Sequence, residues 1–242
     1  MAVARELGRS RSVAPVLVRL GSFLFFASIL VASTFYYRNR PFNLRDAVIS
    51  RLQSSYDNPS GYLIAAGGTV ISAVLILPAS GLFFLGLRHI HRRIAQTGAA
   101  LIGLGLLGAI ALGFLAPFSS PYDSFHTGLA LLTFFILSAG VAVCLGLAAW
   151  STRRLALWLA TVVQFAALPV LVYMVFTSDF PPERSFLSSL AFLEWVLCLI
   201  VGASILILTA LLTDARTFPA GSQGLHSRKS REAPDSEKVG TL

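Results

Sequence analysis

Charge is what this chain has least of. Asp, Glu, Lys and Arg supply 12% of its 242 residues, about half the share in an ordinary soluble domain. So few charges cannot cover the surface of a water-soluble globule of this size. A disordered chain needs low hydrophobicity and abundant charge, so that class is excluded as well. Lysine is nearly missing, with Lys229 and Lys238 the only two. The two cysteines, Cys144 and Cys198, both lie in apolar runs, which argues against a stabilising disulfide or a zinc knuckle. No Walker motif, dinucleotide fingerprint, nucleophile elbow or HExxH is present. No cofactor and no metal is therefore expected.

What is there is apolar. Hydrophobic residues make up 55% of the chain, and mean hydropathy is +0.75. A helix needs about 20 apolar residues, rising 1.5 Å each, to cross roughly 30 Å of hydrocarbon. Six runs qualify: 17–37, 61–87, 98–115, 125–150, 155–176 and 186–212. They are too long and too uniformly apolar for barrel strands. The first exceeds a signal-peptide core and ends in Tyr36, Tyr37 and Arg38, so it reads as a retained span with an interfacial anchor. The expected fold is all-α, a polytopic membrane bundle of six transmembrane helices over 17–212. A cytoplasmic segment, 1–16, precedes it, and a polar, disordered cytoplasmic tail, 213–242, follows.

The formal net charge is +8. The basic residues fall between apolar runs and form no soluble face, so nucleic acid is rejected as a partner. Most of them lie in the N-terminal segment, at Arg88, Arg92 and Arg93, at Arg153 and Arg154, and in the tail. The positive-inside rule then puts both termini in the cytoplasm. The loop between the first two spans is the exception, with Arg38, Arg40, Arg45 and Arg51 outside. Phe42, Leu44, Val48, Ile49 and Leu52 would give it a short amphipathic helix on the membrane surface. His89 and His91 read as part of a basic, lipid-facing turn on the inner side.

Within the spans, Gly105, Ala109 and Gly113 repeat every four residues, with Ala99 and Gly103 parallel to them. Small residues let helix backbones approach, so this pattern reads as packing within the bundle. A homo-oligomer is permitted but not required. Pro78 and Pro169 interrupt spans two and five and predict kinks that fit a curved bundle. Gln164 reads as polar glue between helices.

The outer side collects the distinctive polar groups. Glu194 lies about two turns into span six, where a carboxylate is expensive and faces the protein interior. His126 opens span four, three residues after Asp123. Ser50, Asp57 and Asn58 end the first outer loop. Three sequence-distant elements thus bring polar groups to one level, and span six is expected beside span four with Glu194 turned toward His126.

These positions resemble the FRAG/DRAM/Sfk family of six-span membrane proteins and its uncharacterised bacterial relatives, a domain of unknown function. The first outer loop reads Ile49-Ser50, then Asn58-Pro59-Ser60-Gly61-Tyr62-Leu63, similar to the family's Ile-Ser-Asp loop, with Arg51 in place of the aspartate. Span four opens His126-Thr127-Gly128-Leu129-Ala130, and span six carries Glu194-Trp195. The topology matches over about residues 15–213. Members are linked to autophagy regulation, GPI-lipid remodelling and phospholipid organisation. The resemblance implies a lipid-associated membrane protein and marks Ser50, Asn58, His126, Glu194 and Trp195 as ligand-binding residues.

The expected function is therefore a multi-pass, non-enzymatic membrane protein with a lipid site at the outer leaflet and membrane lipids as partners. No catalytic residue is assigned. A lipid hydrolase or remodelling enzyme is the alternative, drawing on His126, Asp123 and Glu194 for acid–base or metal chemistry. A small-solute transporter is the third reading, which requires a continuous polar path past Glu194. A bacterial cytoplasmic membrane is the expected location, because no organelle address is evident and the arginine bias suits a GC-rich genome.

Overall fold

Hydrocarbon offers no partner for backbone amides, so apolar runs of this length close their hydrogen bonds internally, as helices. The computed structural model describes residues 2–38, 40, 49–119, 124–177 and 190–214, and among these it is helical, with no strand. The helices are α1 (Ala2–Tyr36), α2 (Ile49–Gln53), α3 (Tyr62–Ile76), α4 (Pro78–Leu115), α5 (Ser124–Thr152), α6 (Leu155–Thr177) and α7 (Leu190–Thr213), with a 3-10 turn at Ala116–Phe118. Four described stretches are long and apolar enough to cross a membrane: Val13–Tyr36, Tyr62–Phe118, Phe125–Thr152 and Glu194–Thr213. The chain is an integral membrane protein. Asp123, the distal tail, and Phe42, Leu44 and Val48 of the expected surface helix lie outside the described residues.

The bundle carries apolar side chains on its outside as well as in its core. Phe23, Leu63, Phe114 and Val162 are each more than 60% exposed. The centre is filled by Phe83, Ile102, Val141, Leu145 and Leu208, together with many alanines. In water such an exterior would aggregate; against lipid chains it is matched.

The 57-residue stretch from Tyr62 to Phe118 is a hairpin. At His91 the backbone leaves the helical region (φ −154°, ψ 102°), and its Nδ1 accepts the Ile94 amide at 3.3 Å. An acceptor side chain bonding the amide three residues on is a helix N-cap, so the second arm of α4 starts here. The arms then run antiparallel. A Cβ built on Gly103 meets the Ser80 side chain, and one on Gly113 meets Ala66 and Val70, pairs centred near residue 91. Pro78, which lacks an amide hydrogen, opens α4 just after α3 ends.

The glycines set the helix spacing. A Cβ on Gly105 would lie 2.5 Å from the Leu137 Cβ, and one on Gly140 would lie 2.7 Å from the Ile102 backbone nitrogen. Gly105 therefore faces α5, whereas Gly113 faces α3. The four-residue pattern read as one stripe serves two neighbours. Between α6 and α7, Ser204 Oγ donates to Gln164 Oε1 at 3.2 Å in the buried interior, the polar contact expected of Gln164.

Two local expectations change. The helical part of the first loop does not lie on a surface, because Ile49 and Leu52 are buried with Ile29, Ala32, Tyr36, Ala65 and Cys198. Tyr36 is accordingly an inward packing residue, 5% exposed, stacked edge-on with Tyr37 and covered by the Arg40 guanidinium at 4.6 Å. The helix α1 also begins earlier than the apolar run, at Ala2.

Candidate functional site

The short helix α2 creates the site by being pulled into the bundle. Its apolar residues bury against α1 and α3. A five-residue helix has too few internal bonds to be stable alone, so outside contacts hold it. Asn58, which is 1% exposed, does this from one side. Its Nδ2 donates to the Ala32 carbonyl on α1 and to the Leu52 carbonyl on α2, both at 3.1 Å. Its backbone carbonyl accepts from Gly61 and Tyr62 at 3.1 and 2.9 Å, starting α3. Gly61 is required here, since a Cβ would lie 2.6 Å from Asn58 Nδ2.

Glu194 holds α2 from the other side. Its Oε2 accepts the Ile49 amide at 2.8 Å, and the Ser50 amide also bonds the carboxylate. These are first-turn amides of α2, which have no partner within the helix. A carboxylate also suits the positive end of a helix. A residue 145 positions away thus caps the loop helix.

Beneath α2 lies a cavity of about 130 Å³. Ser50, Gln53, His126 and Glu194 line its polar end. His126 is buried, with Nδ1 3.0 Å from Ser119 Oγ. Gln53 Nε2 donates to Thr69 Oγ1 at 2.6 Å. Away from α2 the lining becomes largely apolar, through Phe25, Phe26, Leu112 and Phe134 to Ile76 and Leu137. On α5 the lining runs from His126 to Leu137 and on α7 from Glu194 to Ile205. Either interval is eleven residues, about 16 Å of helix.

Residues 19–211 match the family described as protein of unknown function (DUF998). The chain belongs to the DUF998 family. No curated protein and no solved structure matches it. The DUF998 match spans from α1 to α7 and so contains every residue of the cavity.

Of the residues marked in the sequence, this DUF998 protein brings Ser50, His126 and Glu194 to one cavity. Asn58 and Trp195 do not line it. Asn58 clips the loop, and Trp195 packs on the neighbouring cluster of Ile29, Ile49 and Leu52. The carboxylate expected to turn toward His126 is engaged by the α2 amides, while both groups face the same space. Gln53, Thr69 and Ser119 were not foreseen. Lone Gln, Ser and Thr residues beside apolar runs carry no spacing signature, and only their convergence in space distinguishes them.

Proposed function

We propose that this DUF998 protein is a six-pass membrane protein that binds a lipid from the outer leaflet in the cavity beneath α2. The hairpin at His91 supports the count. A straight Tyr62–Phe118 helix of 57 residues would be about 85 Å long, nearly three times the hydrocarbon thickness. Two passes there, with α1, α5, α6 and α7, make six. Exposed Arg88, Arg92 and Arg93 lie by the His91 turn and Arg153 and Arg154 by the α5–α6 turn, which supports a cytoplasmic assignment for that end and for both termini. The end bearing α2, His126 and Glu194 then faces outward. On this reading the bundle is 17–212, flanked by the cytoplasmic segments 1–16 and 213–242, in a bacterial cytoplasmic membrane.

The observation that carries the lipid reading is the cavity's polarity gradient. Most of the hydrogen-bonding groups gather at one end, and largely apolar walls, interrupted by Ser22, Ser72 and Thr133, extend about 16 Å from it, close to half of a roughly 30 Å hydrocarbon layer. An amphipathic molecule with its head at Glu194 and its chain below matches that gradient. The three fragments that resemble the FRAG/DRAM/Sfk family, around Ser50, His126 and Glu194, border this same end, in line with that family's links to lipid. Mass spectrometry of the protein released from mild detergent tests the reading. Wild type should retain lipid, and His126→Ala with Glu194→Gln should lose most of it. Retention unchanged by both substitutions would remove the site assignment.

A further inference from the structure

Three buried hydroxyls on residues that line the cavity have no hydrogen-bond partner among the described residues: Ser22 Oγ, Ser72 Oγ and Thr133 Oγ1. Their residues are 7%, 2% and 5% exposed, and all three line the cavity. A hydroxyl in an apolar helix commonly turns back to the carbonyl three or four residues earlier. Ser28, Thr69, Thr161 and Thr209 in this chain do so. Ser22, Ser72 and Thr133 do not.

They come from α1, α3 and α5 and lie at about one level of the bundle. Gly21, beside Ser22, faces α3, and a Cβ there would lie 3.0 Å from the Ser72 carbonyl. Gly113 faces Val70 across the hairpin. Four residues back along α4, Ala109 is therefore opposite the turn that holds Ser72. Its neighbour Gly108 faces Thr133, and a Cβ on it would lie 2.5 Å from Thr133 Oγ1. The level is seven residues along α5 from His126, about 10 Å.

We propose that these hydroxyls bind the ester carbonyl of a single-chain lipid whose head lies against Glu194 and His126. This rests on the lipid-binding reading and adds to it the chemistry of the linkage. Each hydroxyl can donate one hydrogen bond. An ester carbonyl has two lone pairs and no donor, so it accepts from two hydroxyls at once. A plain hydrocarbon chain at this level would leave all three donors unsatisfied in an apolar site, which is unfavourable. Past the hydroxyls the lining is Ile76, Leu106 and Leu137, which suits the start of the chain. At the other end the Glu194 carboxylate accepts hydrogen bonds and matches a hydroxyl-bearing head.

Two neutral lipids with the same chain and glycerol head separate this proposal from the one it rests on. One is a monoacylglycerol, and the other is the monoalkylglycerol ether, which lacks only the carbonyl. Titrated into the full chain, the ester should bind about tenfold tighter than the ether, as expected for one or two net hydrogen bonds. Ser72→Ala with Thr133→Val should abolish the preference by weakening ester binding relative to the ether. The wild-type comparison needs no variant to fold. As a second readout, an isotope-labelled ester carbonyl should shift its infrared stretch to lower frequency on binding. Equal affinity for both lipids, or no infrared shift, overturns the carbonyl site and leaves lipid binding standing. Failure of both lipids to bind the wild type overturns the lipid reading and this proposal together.

Discussion

At the residue scale, the site depends on one carboxylate satisfying backbone that is distant in sequence. Glu194 accepts from the Ile49 and Ser50 amides. Removing the acceptor leaves buried donors unpaired, at about 1–3 kcal/mol each. Glu194→Leu should therefore lower the thermal unfolding midpoint clearly. Glu194→Gln, which keeps one acceptor oxygen, should lower it less. A Leu variant as stable as wild type in a detergent melt would show that Glu194 does not hold α2. The sequence marked Glu194 because a carboxylate in an apolar run needs a partner, but that partner was not legible. Backbone amides look the same in every residue, so no pattern announces a cap supplied from another helix. Asn58 shows the converse. It was marked by resemblance, and its side chain is spent on the carbonyls of Ala32 and Leu52.

At the element scale, helix identity followed from apolar length, whereas helix pairing did not. The glycine and alanine pattern in α4 signalled close packing, but residues four apart in a helix separate by about 40°. Over eight residues that rotation carries Gly105 and Gly113 to different neighbours. The break at His91 was equally hidden, because histidine is not among the usual capping residues. Close approach gives a paired prediction. A Cβ on Gly140 meets backbone at 2.7 and 2.8 Å, whereas nothing lies within 4 Å of one on Gly81. Gly140→Ala should cost about 1–3 kcal/mol through overpacking. Gly81→Ala should be neutral or stabilising by up to about 1 kcal/mol through helix propensity. Unfolding measurements on the two variants check the pair, and an equal response in both would mean that α4 and α5 are not packed this closely.

At the scale of the whole molecule, composition alone placed the chain in a membrane, and the exposed apolar exterior agrees. The polar groups at one end of the bundle were also legible, since helix directions alternate and the loops carry their residues to known ends. The cavity was not. It depends on how five helices tilt and on α2 folding inward, and neither is encoded in hydropathy. On the proposed function, a lipid chain enters this cavity from the α2 end. A photoactivatable lipid, with its reactive group midway along the chain and supplied from the outer leaflet, tests this directly. After irradiation, peptide mapping should find the label on cavity-lining Leu106, Leu137 or Val201, and added unlabelled lipid should compete it away. Label confined to outward-facing residues such as Val74, Phe114 and Leu132, indifferent to competitor, would contradict it.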